Sequence, residues 1–391
     1  MSKLLNERWS ETKDALLEGL QGNRRQSMAV CLENTRRYLA EAATAGATST
    51  GNIATLNRVI LPVIRRVMPT VIANEIVGVQ PMTGPVGQIH TLRVRYADSG
   101  NNVVAGEEAL SPFKIAAAYS GNDVDATPKA QVTSALEGAP GKRMSIQILK
   151  TPVEAKSRKL SARWTFEAAQ DAQAQQGIDI EAEIMAALAQ EITAEIDQEI
   201  LASLRGLAAV EETYDQSLVS GTATFVGDEH AALAIQINRV SNLIAQRTRR
   251  GSANWAVVSN QALTILQSAT TSAFARTTEG TFEAPTNTKF VGTLNGAMRV
   301  YVDAYMSDTV DNNQVLVGYK GSSEADAAAF YCPYIPLMSS GVVLDPATFE
   351  PVVGFLTRYG YVELTNTASS LGNAADYLGK VAITSANVSF K

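Results

Sequence analysis

IDIEAEIMAALAQEITAEIDQEILASLR, residues 178–205, is the longest regularly patterned stretch of the chain. Ile184, Leu188, Ile192, Ile196, Ile200 and Leu204 recur every four residues and form one row along a helix. At 1.5 Å per residue such a helix is about 42 Å long. Gly206 is the expected stop. Its remaining face carries Asp179, Glu181, Glu183, Glu191, Glu195, Asp197 and Glu199 against a single base, Arg205.

Immediately upstream lies a segment of the opposite sign. Residues 142–163 hold Lys142, Arg143, Lys150, Lys156, Arg158, Lys159 and Arg163, opposed only by Glu154. As isolated surface pairs these charges would contribute ~0–1 kcal/mol each. Two matched blocks instead favour a defined neighbour, in the same chain or in the next.

Working outward, GQIHTLRVRY at 87–96 alternates as a strand should, and MSIQILKTPVEAK beginning at Met144 reads as a second. The irregular text between them, rich in Gly, Asn, Asp and Ser, is long for a compact domain. An extended two-stranded flap reaching away from the body is expected. Residues 1–45 read as amphipathic helix, with Trp9, Leu16, Leu17 and Leu20 on a stripe interrupted by Gly19 and Gly22. A second stretch places Met28, Cys31, Leu32 and Leu39 at helical spacing. AGATSTGN, residues 45–52, is the expected linker. Downstream, HAALAIQINRVSNLIAQRTRRG reads as a helix, and NWAVVSN, MRVYVDAY and NQVLVGYKG as strands of an α+β lobe. GVVLD, PVVGFLTRYGYVEL and KVAITSANV return to strand.

Composition narrows the function. With 46% hydrophobic and 18% charged residues, the 391-residue chain is that of a folded protein with a sizeable core. No apolar run reaches the ~18 residues of a membrane span, and the charged start MSKLLNERWSETKD lacks the apolar core of a signal peptide. A cytoplasmic place of synthesis and use is expected. Cys31 and Cys332, the only cysteines, exclude a disulfide framework and are expected to be buried thiols. His90 reads as a strand residue and His230 as a capping or surface residue. No phosphate-binding, dinucleotide or nucleophile motif occurs, and GATSTGN lacks the lysine that would reach a phosphate. No catalytic residue, cofactor site or metal site is assigned, and the chain is not read as an enzyme. A net charge of −6 argues against tight binding to nucleic acid.

Four ordered blocks carry a resemblance. They are LPVIRRVMPTVIANEIVGVQPMTGPVGQIHTLRVRY at 61–96, VEAKSRKLSARWTFEAAQD with the helix after it, FVGTLNGAMRVYVDAY, and VGYKGSSEADAAAFYCPYIPL followed by DPATFEPVVGFLTRYG. Together they resemble the major head proteins of T-even-type contractile-tailed bacteriophages. That resemblance implies the Hong Kong 97-type phage capsid fold, an α+β architecture with N-terminal arm, extended loop, peripheral domain with a long spine helix, and axial domain. The division it implies is residues 1–60 for the arm, 61–96 leading into the peripheral domain, 97–152 for the extended loop, 153–206 for the peripheral domain, 207–338 for the axial domain and 339–391 returning to the peripheral domain. It implies a capsid subunit forming homo-hexamers and pentamers around double-stranded DNA, located in the virion and assembled in the host cytoplasm. Scaffold, vertex, portal and decoration proteins are the implied partners. An encapsulin-type bacterial nanocompartment shares the fold and is the alternative.

Two expectations about sites follow. Lys156, Arg158, Lys159 and Arg163 are expected to meet Glu191 and Glu195 as inter-subunit charge contacts. Family heads are processed after Glu in a hydrophobic-x-Glu context, and Leu39-Ala40-Glu41 before Ala42 fits, as do Leu5-Asn6-Glu7 and Leu16-Leu17-Glu18. The alternative is a permanent arm, which is preferred, with Trp9 and the leucine stripe packed on neighbouring subunits.

Overall fold

A computed structural model describes Trp9 and residues 13–44, 71–100, 103–107, 109, 119–121, 129–138, 140–176, 179–216, 226–248, 250–269, 274–276, 289–306, 313–323, 326–345, 347–348, 350–365 and 373–384. The linker at 45–52 and the first part of the 61–96 block lie outside them.

Residues 13–17 are helical, and α1 (Gly22–Thr44) follows. Gly19 and Gly22 both sit at positive φ, the conformation that glycine tolerates and that breaks a helix. After the short α2 (Ala73–Ile76) come β1 (Gly78–Val79) and the ribbon strands β2 (Val86–Tyr96) and β3 (Met144–Glu154), then β4 (Lys156–Arg163). Helices α3 (Phe166–Gln176) and α4 (Ile180–Leu207) lead to β5 (Val210–Tyr214) and α5 (Val226–Thr248). The chain continues through β6 (Trp255–Val258), α6 (Asn260–Ser268), β7 (Phe274–Arg276), β8 (Lys289–Leu294), β9 (Met298–Val302) and β10 (Gln314–Gly318). It closes with β11 (Ala329–Leu344), β12 (Pro351–Glu363) and β13 (Leu378–Ile383).

These strands form three sheets. β1-β11-β12-β4 make a four-stranded sheet, β5-β13-β10-β6-β9-β8-β7 a seven-stranded mixed sheet, and β2-β3 a ribbon of their own. β11 bends at register shifts around Pro333, Ile335 and Met338, where Pro333 and Pro336 have no N–H to give the ladder. It runs unbroken across residues 338 and 339. Asn295 and Gly296, both at positive φ, turn β8 into β9.

The main apolar core joins both large sheets. Ile192, Ile196, Ile200 and Leu204 of α4 pack in it with Tyr331 and Phe355 of the four-stranded sheet and with Trp255 and Leu316 of the seven-stranded one. Each such side chain contributes roughly 1.5–3 kcal/mol when fully buried. A second core lies between the seven-stranded sheet and α5 and α6, around Leu233, Ile237 and Val317.

Three local expectations change. α4 does not stop at Gly206 but runs to Leu207, with Ala208 as its cap. Glycine at a helix end is a preference that packing overrides, and here Leu204 and Ala208 are both buried. In the first half of α4 the buried stripe is Met185 and Ala189, while Ile184 and Leu188 are half-buried. His230 is buried and its Nδ1 lies 2.6 Å from Ser268 Oγ, so it is neither cap nor surface residue. The helix begins at Val226, four residues before it, which carries His230 onto the inner face.

Candidate assembly surfaces

The strand β4 pairs with β12, and pleating splits its basic residues between two faces. Lys156 and Arg158 share the face turned to α4, whereas Lys159 and Arg163 point the other way. Arg158 is therefore the base that meets the long helix. Its guanidinium donates to Glu195 at 2.7 Å, to Glu199 at 2.5 Å and to the Tyr359 hydroxyl at 2.6 Å. Tyr359 in turn donates to Glu199. Burial works against charge on Glu199, but the hydrogen bonds from Arg158 and Tyr359 outweigh it and hold the carboxyl below its ordinary range. Arg163 reaches Glu350 at 3.7 Å, on the opposite face.

The Arg158–Glu195 contact thus closes within one chain. Lys156, Lys159 and Glu191 are exposed, and Arg163 is more than half exposed. One block of charge in sequence becomes an internal clamp at Arg158, further pairs of Arg143 with Asp98 and Arg163 with Glu350, and the outward charges of Lys156 and Lys159. Arg158→Ala is expected to lower stability by about 1–2 kcal/mol, the range of a charge-assisted network trimmed by solvent screening. Glu191→Ala should stay within about 0.5 kcal/mol. Urea unfolding of the two variants side by side checks this, and equal losses would contradict it.

Sequence pattern puts Asp197 on the acidic outer face of the helix, whereas the structure buries it, 1% exposed. Its Oδ1 accepts from the Ile72 N–H at 2.9 Å, fixing the chain where α2 begins. Burial pushes the carboxyl up to about 7, partly offset by that hydrogen bond and reinforced by the nearby Asp303 charge. Asp303, also buried, accepts from Gln198 at 2.8 Å and pairs with Arg205 at 2.5 Å. This cluster ties α4 to the end of β9. A signal existed in the sequence, since Thr193, Asp197, Ile200 and Leu204 follow helical spacing along one face. Polarity alone hid it.

The β2-β3 ribbon is anchored at its base by Ile89 and Val153 packing on Met82, Phe330 and Cys332. Farther out, Met144, Ile146 and Ile148 share one face and stand 52%, 70% and 60% exposed. At the outer end of the ribbon, Tyr96 joins Val103, Ala109 and Tyr119 in a small cluster separate from the main cores. The Tyr119 hydroxyl donates to the Arg143 carbonyl at 2.7 Å, and Arg143 pairs with Asp98 at 3.1 Å.

The N-terminal stripe packs on its own chain. Leu16, Leu17, Met28, Cys31 and Leu32 are buried in the main core, contrary to the expectation that the leucine stripe would lie on neighbouring subunits. Trp9 is half-buried and donates to Glu33 at 3.2 Å, with Arg36 over its ring. α1 packs on β11 of the same chain, and periodicity cannot say which molecule supplies such a surface. Of the candidate processing positions, Leu39, Glu41 and Ala42 lie in the last turns of α1. Leu16 and Leu17 are buried, and Leu5-Asn6-Glu7 lies outside the described residues.

Burial pushes the thiols of Cys31 and Cys332 up to about 12, which makes both poor nucleophiles. Among the described residues no group of His, Cys, Asp and Glu could hold a metal ion. Among them no helix is long and apolar enough to cross a membrane.

A family model described as Major capsid protein Gp23 matches residues 53–142 and 125–383. The major capsid protein of Vibrio phage KVP40 is 31% identical, over 84% of this chain and 80% of that protein. The major capsid protein of Enterobacteria phage T4 is 28% identical, over 83% of this chain and 78% of that one. Among solved structures, a chain of Mycobacterium phage Cain aligns with a TM-score of 0.46 and 10% identity, covering 80% of this chain and 90% of that chain.

Proposed function

This chain belongs to the Major capsid protein Gp23 family, and on that premise we propose that its copies form hexamers and pentamers that close into an icosahedral phage head around double-stranded DNA. It is a structural subunit of the virion shell and not an enzyme. The nanocompartment alternative has no support beside this kinship.

The observation that carries the assembly reading is the ribbon. A two-stranded sheet is marginal by itself, and one that exposes Met144, Ile146 and Ile148 on a single face is suited to being covered by another molecule. In the proposed Hong Kong 97-type reading, the ribbon is the extended loop lying over a neighbour. The four-stranded sheet with α4 is the peripheral domain, and the seven-stranded sheet is the axial domain. Assembly in the host cytoplasm, with scaffold, vertex, portal and decoration proteins as partners, belongs to the same proposal. A net charge of −6 suits a container whose DNA must slide in and later leave, with no tight contact to the wall.

Electron microscopy of the purified protein is expected to show hexamers, pentamers or closed shells at low ionic strength and fewer of them at high salt, because exposed charges are screened. Small discrete particles under all conditions would overturn the proposal. Glu191→Lys combined with Glu195→Lys is expected to reduce assembly, with the subunit's melting temperature recorded as the control for the internal Arg158 contact. Unchanged assembly by this variant would leave the exposed charges as merely solvated.

The arm is proposed to be permanent, because α1 contributes Met28, Cys31 and Leu32 to the main core. Intact-mass measurement on protein from DNA-filled heads is expected to give a chain starting at Met1 or Ser2. A start at Ala42 would establish processing after Glu41 instead.

A further inference from the structure

A polar cleft of about 370 Å³ opens where α2 meets the seven-stranded sheet. Asn74 and Glu75 of α2 form one wall, and Trp255 of β6, Arg299 of β9 and Lys320 after β10 form the other. Glu75 is paired with Arg24 and, at 2.9 Å, with Arg299, and it accepts from the Tyr301 hydroxyl at 3.2 Å. Asp326, which lies against Gly321 at the rim, is paired with Arg250. Four bases, Arg24, Arg250, Arg299 and Lys320, thus stand against two acids, and two positive charges are in excess in a chain of net charge −6. The cations are held in place. Lys320 Nζ donates to the Asn74 carbonyl at 2.9 Å, and the Asn254 carboxamide accepts from the Lys320 N–H at 3.0 Å and donates to its carbonyl at 2.5 Å. The Arg299 side chain is 61% exposed, so guanidinium N–H groups beyond those used on Glu75 are open to the cleft. Trp255 is 2% exposed, and its indole N–H is buried with no acceptor among the described residues.

We propose that this cleft binds a small oxyanion of the phosphate class between Arg299 and Lys320. A guanidinium and an ammonium on facing positions supply charge-assisted donors, which are shorter and stronger than neutral ones. Part of the cost of gathering these cations is already met by the fold, because Asn254 and Asn74 fix Lys320 and Glu75 fixes Arg299 before any ligand arrives. A buried donor without an acceptor is unfavourable, and an oxyanion beside Trp255 brings an acceptor to that wall. The location gives the ligand an effect on the fold. α2 leads within two residues into β1 of the four-stranded sheet, whereas Arg299 and Lys320 belong to the seven-stranded sheet and the turn leaving it. An anion held by both walls ties the two sheets together at their junction.

The test is equilibrium dialysis of the full, unassembled chain against radiolabelled inorganic phosphate in chloride buffer of constant ionic strength. Saturable binding of one phosphate per chain is expected. Arg299→Gln and Lys320→Gln should each weaken it about tenfold, the loss of one charge-assisted contact. Glu75→Gln removes the acid on the facing wall and should tighten binding several-fold, an opposite sign that general salt effects do not produce. Amide exchange of residues 73–79 should slow when phosphate is present. Absence of saturable binding by the folded chain would overturn the proposal, as would an affinity unchanged in the glutamine variants of Arg299 and Lys320. Melting temperature in chloride alone confirms that each variant folds. If those two do not fold, Glu75→Gln decides, and binding that is unchanged or weaker in it counts against the site. None of these measurements depends on shell formation, so failure here is distinct from failure of the assembly reading.

Discussion

Deleting residues 101–138 is expected to leave a soluble, folded subunit that no longer closes into shells. The deletion removes Val103, Ala109 and Tyr119, which pack on Tyr96 in a cluster apart from the two large cores. The ribbon pairing from Val86↔Glu154 to Tyr96↔Met144 remains, as does the anchor of Ile89 and Val153 at its base. The melting temperature should therefore fall by no more than a few degrees. Assembly should respond far more strongly, because every copy in a closed shell loses the same contact. A loss of about 1.4 kcal/mol is tenfold in each association step, and closure compounds the steps. Sedimentation of the variant under conditions in which the full chain assembles decides it. Assembly at the full chain's level would show that the tip of the ribbon contributes nothing to the shell.

Asp197→Asn is expected to abolish a pH dependence of stability between about pH 4 and pH 7. In the folded chain this carboxyl is pushed up to about 7, first by burial and then by the neighbouring Asp303. Its unfolded value is near 3.9. Between those values the folded chain holds a proton that the unfolded chain has released, so stability falls as pH rises through the interval. Below about pH 4 both states are protonated, and the contribution is flat. The full effect is at most about 4 kcal/mol, from 1.36 kcal/mol per pH unit. The groups facing Asp197 include the Ile72 N–H, Tyr331 and Asp303, the last paired with Arg205. Asparagine keeps an oxygen for Ile72 and mimics the protonated acid. Urea unfolding across pH 4–8 should show the native chain losing stability relative to the variant as pH rises. Parallel curves for the two proteins would place Asp197 in contact with solvent.

Much of the fold is written in local pattern. The four-residue recurrence from Ile184 to Leu204 marked α4, and alternation at 87–96 marked β2, because the periods of helix and strand are written into neighbouring residues. The distribution of charge was legible in the same way. Which charge does what was not. Arg158 and Lys159 are neighbours in sequence, and pleating alone sends one to Glu195 and Glu199 and the other to the opposite face. Tyr359, the third member of that clamp, lies far along the chain in β12 and carries no sequence signal linking it to Arg158.

The long helix, the paired strands of the ribbon, the buried and inert cysteines and the family kinship were all legible in residue order. Each of these rests on residue type and spacing over short range. Long-range packing alone buries Asp197 against Ile72, lays the arm's leucines on their own chain and turns one base of the basic run onto the spine helix. Those outcomes depend on which distant surface arrives opposite a side chain. A carboxylate or a leucine at a given helical position is compatible with water, with its own β-sheet or with a neighbour's, and the free energy that selects among them comes from packing across the fold.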